Sequence, residues 1–170
     1  MDEKTQTVVQ KGLGFTRSVV WSVFITLAGV LLLASLRGGP MPTAEAPALV
    51  GFDLNGQPVD LRTFKGKPVV LYFWATWCGA CKMASPIVDQ FAGSHPDIPV
   101  IGVAVDEEPA VRAYLKEHAR NFRVMPASED VQRAWPVRAL PTLVVLDKEG
   151  RITWQRVGVP LPGELNFHVD

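Results

Sequence analysis

The sequence predicts an α/β fold, a mixed β-sheet flanked by helices, preceded by one N-terminal transmembrane helix. Three observations carry this expectation. Two continuous apolar runs, 69–74 (VVLYFW) and 98–105 (IPVIGVAV), are too short for buried helices and rich in strand formers, and each leads into helical periodicity. A further strand pattern over 142–147 turns back through Asp147-Lys148-Glu149-Gly150 into an alternating segment, 151–157, which adds an antiparallel edge. The run 18–36 (SVVWSVFITLAGVLLLASL) carries no charge and is bounded by Arg17 and Arg37.

A helix over 18–36, rising ~1.5 Å per residue, nearly spans a hydrocarbon core of ~30 Å. The run is longer than the ~7–15 residues of a signal-peptide core and lies behind a long leader. Its nearby small-x-small site, Ala44-Glu45-Ala46, is followed by Pro47, which hinders cleavage, so an uncleaved anchor is expected. Lys4, Lys11 and Arg17 precede the helix, whereas 37–57 holds only Arg37. That asymmetry places residues 1–17 in the cytoplasm. In a bacterium the protein is then a single-pass resident of the inner membrane with its domain in the periplasm. Residues 37–48 (RGGPMPTAEAPA) lack apolar periodicity and read as a flexible tether, leaving 49–170 as the outer domain.

That domain opens with a β-hairpin over 49–54 and 59–61, joined at Asn55-Gly56, where a tight turn asks for φ > 0 at both positions. Residues 69–74 read as a central strand buried on both faces. It feeds directly into Trp77-Cys78-Gly79-Ala80-Cys81 and a helix whose apolar face is expected at Met83, Ile87 and Phe91, kinked by Pro86. After the second buried strand, Asp106 is placed to cap a helix with Val111, Tyr114, Leu115 and His118 on its apolar side. A short edge strand at 122–125, a short helix at 128–135 ended by Pro136, and the strands 142–147 and 151–157 follow. The last is expected to turn Ile152 and Trp154 inward and Thr153 and Gln155 outward. Residues 162–170 carry a weak helical signal.

Lys and Arg together number 17 and Asp and Glu together 17, so the chain has neither net charge nor a basic cluster of the kind that tracks phosphates. Nucleic acid is therefore not an expected partner. The 2 cysteines cannot build a disulfide scaffold or a four-cysteine metal site, so their role belongs to the Cys78–Cys81 pair. Where a strand hands over to a helix, free backbone N–H groups and the positive end of the helix dipole stabilise a thiolate, lowering the first cysteine below its usual ~8.5. Cys78 is the expected nucleophile. Cys81, one turn later and more shielded, resolves the mixed disulfide. Gly79 and Ala80 leave the Cys78 sulfur open, and Trp77 supplies a flat apolar lip.

The same residues bear on other chemistries of a Cys-x-x-Cys motif. Attachment of c-type haem requires His after the second cysteine, where this chain has Lys82. A structural zinc needs two more ligands, yet His95, His118 and His168 are scattered. A static disulfide across so short a loop gains little entropy. A thiolate module binding or delivering a soft ion such as Cu(I) would draw on Met83, which the apolar stripe also explains. A one-cysteine peroxidase would need Thr three residues before the cysteine, whereas Thr76 stands two before it.

With these residues in place, VVLYFWATWCGACKMASPIVDQFA followed by ALPTLVVLDKEGRI resembles thioredoxin. The anchor and VGFDLNGQPVDLRTFKGKPVV are similar to the membrane-anchored TlpA/ResA-type thiol-disulfide oxidoreductases. The resemblance covers about residues 49–158. It implies a thioredoxin-like fold, a redox-active disulfide between Cys78 and Cys81, and Pro141 as a cis-proline packed against it. It further implies substrate contacts at Trp77, Gly79, Ala80, Leu140, Pro141 and Thr142, with no cofactor and no metal. Its implied partners are disulfide-bearing protein substrates and a transmembrane electron-donating reductase. Net reduction is expected, with oxidase or isomerase activity as the alternative.

The chain departs from the family at identifiable places. Thioredoxin's buried acid falls on Tyr72, and the acid that ResA-type members carry after the second cysteine falls on Ala84, with Asp106, Glu107 and Glu108 as candidate substitutes. Leu140 stands where anchored members often have Thr. The loop 137–142 (VRALPT) is unlike the Gly-Val-x-Gly-x-Pro-Glu loop of cytochrome c maturation reductases. The Tyr-Phe-Trp-Ala-Thr-Trp-Cys stretch is similar instead to the periplasmic disulfide oxidoreductases associated with copper-sensitivity suppression.

Overall fold

The computed structural model describes residues 21, 22, 25, 26, 44–135 and 137–169. The expected membrane helix 18–36 lies almost wholly outside them, as do 1–17, 37–43 and Pro136. Trp21, Ser22, Ile25 and Thr26 are helical, with the Thr26 hydroxyl donating to the Ser22 carbonyl at 2.8 Å. Among the described residues no helix is long and apolar enough to cross a membrane.

From residue 44 onward, five strands form one mixed sheet. β3 (Val69–Trp74) is its centre, flanked on one side by β4 (Val100–Ala104) and β5 (Arg123–Pro126), and on the other by β6 (Thr142–Leu146) and β7 (Ile152–Val157). β3, β4 and β5 run parallel, whereas β6 and β7 pair antiparallel, as the turn at 147–150 requires. All six residues of β3 are buried. The reason is that the sheet is covered on both faces: Val70, Tyr72 and Trp74 enter one core, and Val69, Leu71 and Phe73 the other. α1 (Gly79–Ser94) and α2 (Glu108–Glu117) cover the first face; α3 (Glu129–Ala134) and the hairpin of β1 (Val50–Phe52) with β2 (Pro58–Asp60) cover the second. Each large apolar side chain so buried contributes ~1.5–3 kcal/mol.

Several expectations change in detail, each for a physical reason. The hairpin turn has positive φ only at Gly56 (76°). The Asp53 carbonyl accepts from Gly56 N–H at 2.9 Å, and its carboxylate accepts from the N–H groups of Asn55 and Gln57. The aspartate organises the loop, so Asn55 has no need of a left-handed conformation. Leu61, expected at the end of the second hairpin strand, enters a single 3₁₀ turn, Leu61–Phe64, capped by Asp60.

α1 runs unbroken through Pro86, but its inner face is not the expected Met83 stripe. Cys81, Ala84, Ser85, Val88, Phe91 and Ala92 are buried, while Met83 is 63% exposed. The small residues Ala84, Ser85 and Ala92 let the helix lie close to the sheet, a face that a search for bulky apolar residues misses. Asp106 does not cap α2; Glu107 occupies that position without a side-chain bond, followed by Pro109 in the first turn. A bulge separates Val145 and Leu146 in their pairing with β7, so Ile152 and Trp154 enter opposite cores instead of sharing one face.

The domain begins before residue 49. Ile152 N–H donates to Ala44 O, Ala46 N–H to Gly150 O, and the Trp135 indole N–H to Ala48 O. Residues 44–48, expected within the tether, are therefore bonded to the domain: 44–46 pair with 150–152 at the start of β7, and Ala48 is held by Trp135. The C-terminal helical signal is a 3₁₀ turn, Glu164–Phe167, whose Leu165 is buried in the first core.

Candidate active site

β3 and the turn that follows it position the cysteines. Trp74 ends the strand with its carbonyl accepting from Val105 N–H at 3.0 Å, which locks the end of β3 to the end of β4. The chain then reverses through Ala75, Thr76 and Trp77, with Cys78 N–H donating to Ala75 O at 3.3 Å. Cys78 is the N-cap of α1, in extended conformation, and its sulfur accepts from Cys81 N–H at 3.1 Å. The two cysteines form a disulfide with their Cα atoms 5.2 Å apart. Cys78 keeps 7% exposure and Cys81 only 1%. The outer sulfur is thus the one at the helix N-terminus, where a thiolate gains both a fixed N–H donor and the helix dipole.

The neighbours are placed unequally. Trp77 stands 70% exposed beside Cys78, and nothing lies within 4 Å of where a Gly79 side chain would begin, so approach to the pair is open on that side. Ala80 is half-buried. The Leu140–Pro141 peptide is cis, Pro141 is buried, and its carbonyl accepts from Gly158 N–H at 2.8 Å. Because Thr142 pairs with Phe73 across the sheet, this loop sits at the same end of β3 as the disulfide. Thr142, expected among the substrate contacts, is 1% exposed and donates its hydroxyl to Ala139 O at 2.7 Å. Its side chain holds the loop and is closed to an incoming chain.

Beneath the pair lies a feature the sequence did not disclose. The Tyr72 side chain is fully buried; its hydroxyl donates to Cys81 O at 2.9 Å and lies 3.0 Å from Ser85 Oγ. Burial pushes the phenol up to about 12, with the Ser85 contact opposing it. Tyr72 stacks parallel to Trp74 and takes the edge of Phe122, which fixes the ring. The site therefore has a hydroxyl pair at its floor, where Ala84 is wholly buried and contributes no charge. The signal available in the sequence was Ser85, one turn after Cys81 on the buried face.

The candidate substitute acids lie to the side. Asp106 accepts from Thr76 N–H at 2.7 Å through Oδ2, fastening the loop after β4 to the turn that carries Cys78. Glu108 pairs with Arg112 at 2.7 Å, and Glu107 is exposed. None of the three is hydrogen-bonded to either cysteine. Among the described residues, no three His, Cys, Asp or Glu side chains gather as metal ligands.

Comparison with known proteins agrees with this geometry. The sequence profile of the Redoxin family matches residues 37–167. The chain is 31% identical over 145 residues to "Thiol-disulfide oxidoreductase ResA" of Bacillus subtilis (strain 168), covering 81% of each. The protein of that name from Bacillus thuringiensis subsp. konkukian is 32% identical over 112 residues, covering 64% of this chain and 65% of the relative. The chain thus spans just under two thirds of that relative's length. Among solved structures, the thiol:disulfide interchange protein of the thioredoxin family from Chlorobium tepidum TLS superposes with a TM-score of 0.68 at 26% identity, covering 77% of this chain and 97% of that one. The fold is thioredoxin-like, and the chain belongs to the Redoxin family, among the ResA-type thiol-disulfide oxidoreductases.

Proposed function

We propose that this protein is a membrane-anchored periplasmic thiol-disulfide oxidoreductase that reduces protein disulfides through Cys78 and Cys81. The observation that carries the reading is the asymmetry of the pair: Cys78 is outermost, at the helix N-terminus with a donor on its sulfur, and Cys81 is shielded behind it. In the reduced protein the Cys78 thiolate attacks one sulfur of a substrate disulfide. That sulfur bonds to Cys78, and the other leaves as a thiolate. The Cys81 thiolate then attacks Cys78 Sγ, closes the intramolecular disulfide and expels the first substrate sulfur as a second thiolate. Two electrons have passed to the substrate.

The oxidised pair must next be reduced by an outside dithiol, for which a transmembrane electron-donating partner is the proposed source. The uncharged run 18–36 between Arg17 and Arg37 supports the anchor, and the basic residues before it support a periplasmic domain. The absence of His between the cysteines supports net reduction, since such a residue further stabilises a thiolate and makes a pair more oxidising.

The test is Cys81→Ser in the full-length chain. Mixed disulfides through Cys78 should accumulate in the membrane fraction and disappear on treatment with dithiothreitol; recovery of none would count against the mechanism. Direction is read by acid quench and maleimide tagging of growing cells. A mostly reduced pair supports a dedicated electron supply and a reductase or isomerase, and a mostly oxidised pair overturns the reductive direction in favour of an oxidase or a static bond.

A further inference from the structure

The surface beside the cysteines is polarised in a way the redox chemistry alone does not require. A cavity of about 220 Å³ opens between Trp77 and Leu140, over Phe73, Trp135 and Val137. Trp77 precedes the outer cysteine and Leu140 precedes the cis-proline, so two of the residues lining this cavity are chain neighbours of the reactive pair and of the proline beside it. It is smaller than the ~300–1,000 Å³ typical of small-molecule sites and suits a single large apolar side chain.

A second, more open cavity of about 450 Å³ shares Val105, Ala127 and Gln132 with the first. The two form one trough leading away from the cysteines. Four carboxylates line its far half, from Asp106, Glu107, Glu108 and Glu129, and no lysine or arginine does. Arg112 pairs with Glu108 at 2.7 Å, and Arg133 reaches Glu129 at 3.9 Å while bonding mainly to Asp130. Asp106 spends one oxygen on Thr76 N–H. Among the described residues, Glu107 has no ion-pair partner. In a chain with 17 basic and 17 acidic residues, this wall is a local excess of negative charge. Phe52, 67% exposed, stands in the same stretch and offers an aromatic face to a cation.

We propose that this trough selects disulfide-bearing polypeptides in which an apolar side chain lies next to the reactive cysteine and lysine or arginine follows within a few residues. An extended chain, advancing ~3.3 Å per residue, presents side chains to both halves in succession. The apolar residue fills the cavity under Trp77. The basic residue lays its methylene stem on Phe52 and its charged head among the carboxylates. Acidic segments meet like charge and are disfavoured. The inference rests on the oxidoreductase reading and adds a substrate class to it.

The test uses the full-length protein in neutral detergent, reduced with dithiothreitol and desalted. Three synthetic disulfide peptides share one apolar residue beside the cysteine and carry lysines, neutral residues or glutamates beyond it. Single-turnover reduction should favour the lysine peptide over the glutamate peptide by about tenfold at low salt, with the ratio collapsing toward one near ~1 M salt. Glu107→Gln combined with Glu129→Gln should cut that ratio by about threefold. Equal rates for all three peptides, or a preference insensitive to salt and to these substitutions, overturns the charge selection while leaving the oxidoreductase reading intact. No reduction of any peptide overturns both. A dimer in sedimentation that dissociates in the double variant also overturns the proposal, because a second copy then fills the trough.

Discussion

Replacing Tyr72 by Phe removes one oxygen from the floor of the site and leaves the ring in place. The side chain is fully buried, so no water replaces the lost partner, and the ring contacts with Trp74 and Phe122 survive. The Cys81 carbonyl lies within α1 and retains access to a helical donor, whereas Ser85 Oγ, in a residue 1% exposed, loses its hydrogen-bonding partner. An orphaned buried hydroxyl costs about 1–3 kcal/mol, which sets the expected loss. Ser85→Ala leaves the tyrosine still bonded to Cys81 O and should cost about 1 kcal/mol. The double variant orphans nothing further, so it should be no less stable than Tyr72→Phe alone, a departure from additivity of about 1 kcal/mol. Urea unfolding of the four oxidised proteins measures the cycle. The same variant has an alkaline signature. With the folded phenol near 12 and its ordinary value at 10.0, the unfolded chain releases its proton first. Stability contributed by the neutral phenol is present below pH ~10 and is lost by up to about 3 kcal/mol as pH rises toward ~12. Tyr72→Phe should therefore lie below the wild type at pH 7 and converge on it above pH ~10. Additive costs together with parallel pH profiles would refute the hydroxyl pair as a coupled, buried unit.

Four further substitutions probe the scaffold. Burial raises the Asp53 carboxyl, but the N–H groups of Gln57 and Asn55 and the Arg123 guanidinium outweigh it and hold the group below its ordinary 3.8. Asp53→Asn should cost about 1–3 kcal/mol at pH 7, and the gap should narrow as pH falls through the depressed native value, read by melts at pH 7 and pH 3. At Gly102 an added Cβ would lie 2.6 Å from Phe122 Cε2 and 3.1 Å from Trp74 Nε1, so Gly102→Ala should destabilise by about 1–3 kcal/mol in urea although glycine ordinarily weakens a strand interior. Met83→Gln should stay within about 0.5 kcal/mol of the parent by thermal melting, while Val88→Ala, at a fully buried position, should cost about 1.5–3 kcal/mol.

The elements legible in the sequence were those whose signal is local or summed over a run. The strand 69–74 could be read because two covered faces leave no polar position in it. The closing antiparallel hairpin was readable from the turn at 147–150, whereas the order of strands, with β3 between β4 and β6, pairs segments far apart in the chain that no local pattern specifies. What local reading could not supply was the partner of each group. Asp106 has the composition of a helix cap, yet its carboxylate is drawn to Thr76 N–H, 30 positions earlier in the chain. The inner face of α1 was misplaced because its close approach to the sheet selects Ala84 and Ser85 over the bulkier Met83 and Ile87. The bulge after Val145 is a register choice made between two strands, and no residue in β7 announces it.

The reactive pair was the most legible part of the site, because its chemistry depends on a spacing of three along one helix. Its floor was the least legible, because it depends on which strand residue lies under which helical turn. Tyr72 looked in the sequence like the loss of a proton-handling acid. In the fold it brings a different economy: a group neutral at every physiological pH, held by Ser85, that ties the carbonyl of Cys81 in place. A carboxylate at that position would oppose a thiolate on Cys81 by repulsion and exchange protons with it. A neutral phenol adds no negative charge. On the proposed mechanism, no carboxylate at this position is available to take the Cys81 proton, so the pH profile of the resolving step should lack the second inflection that a neighbouring acid would impose.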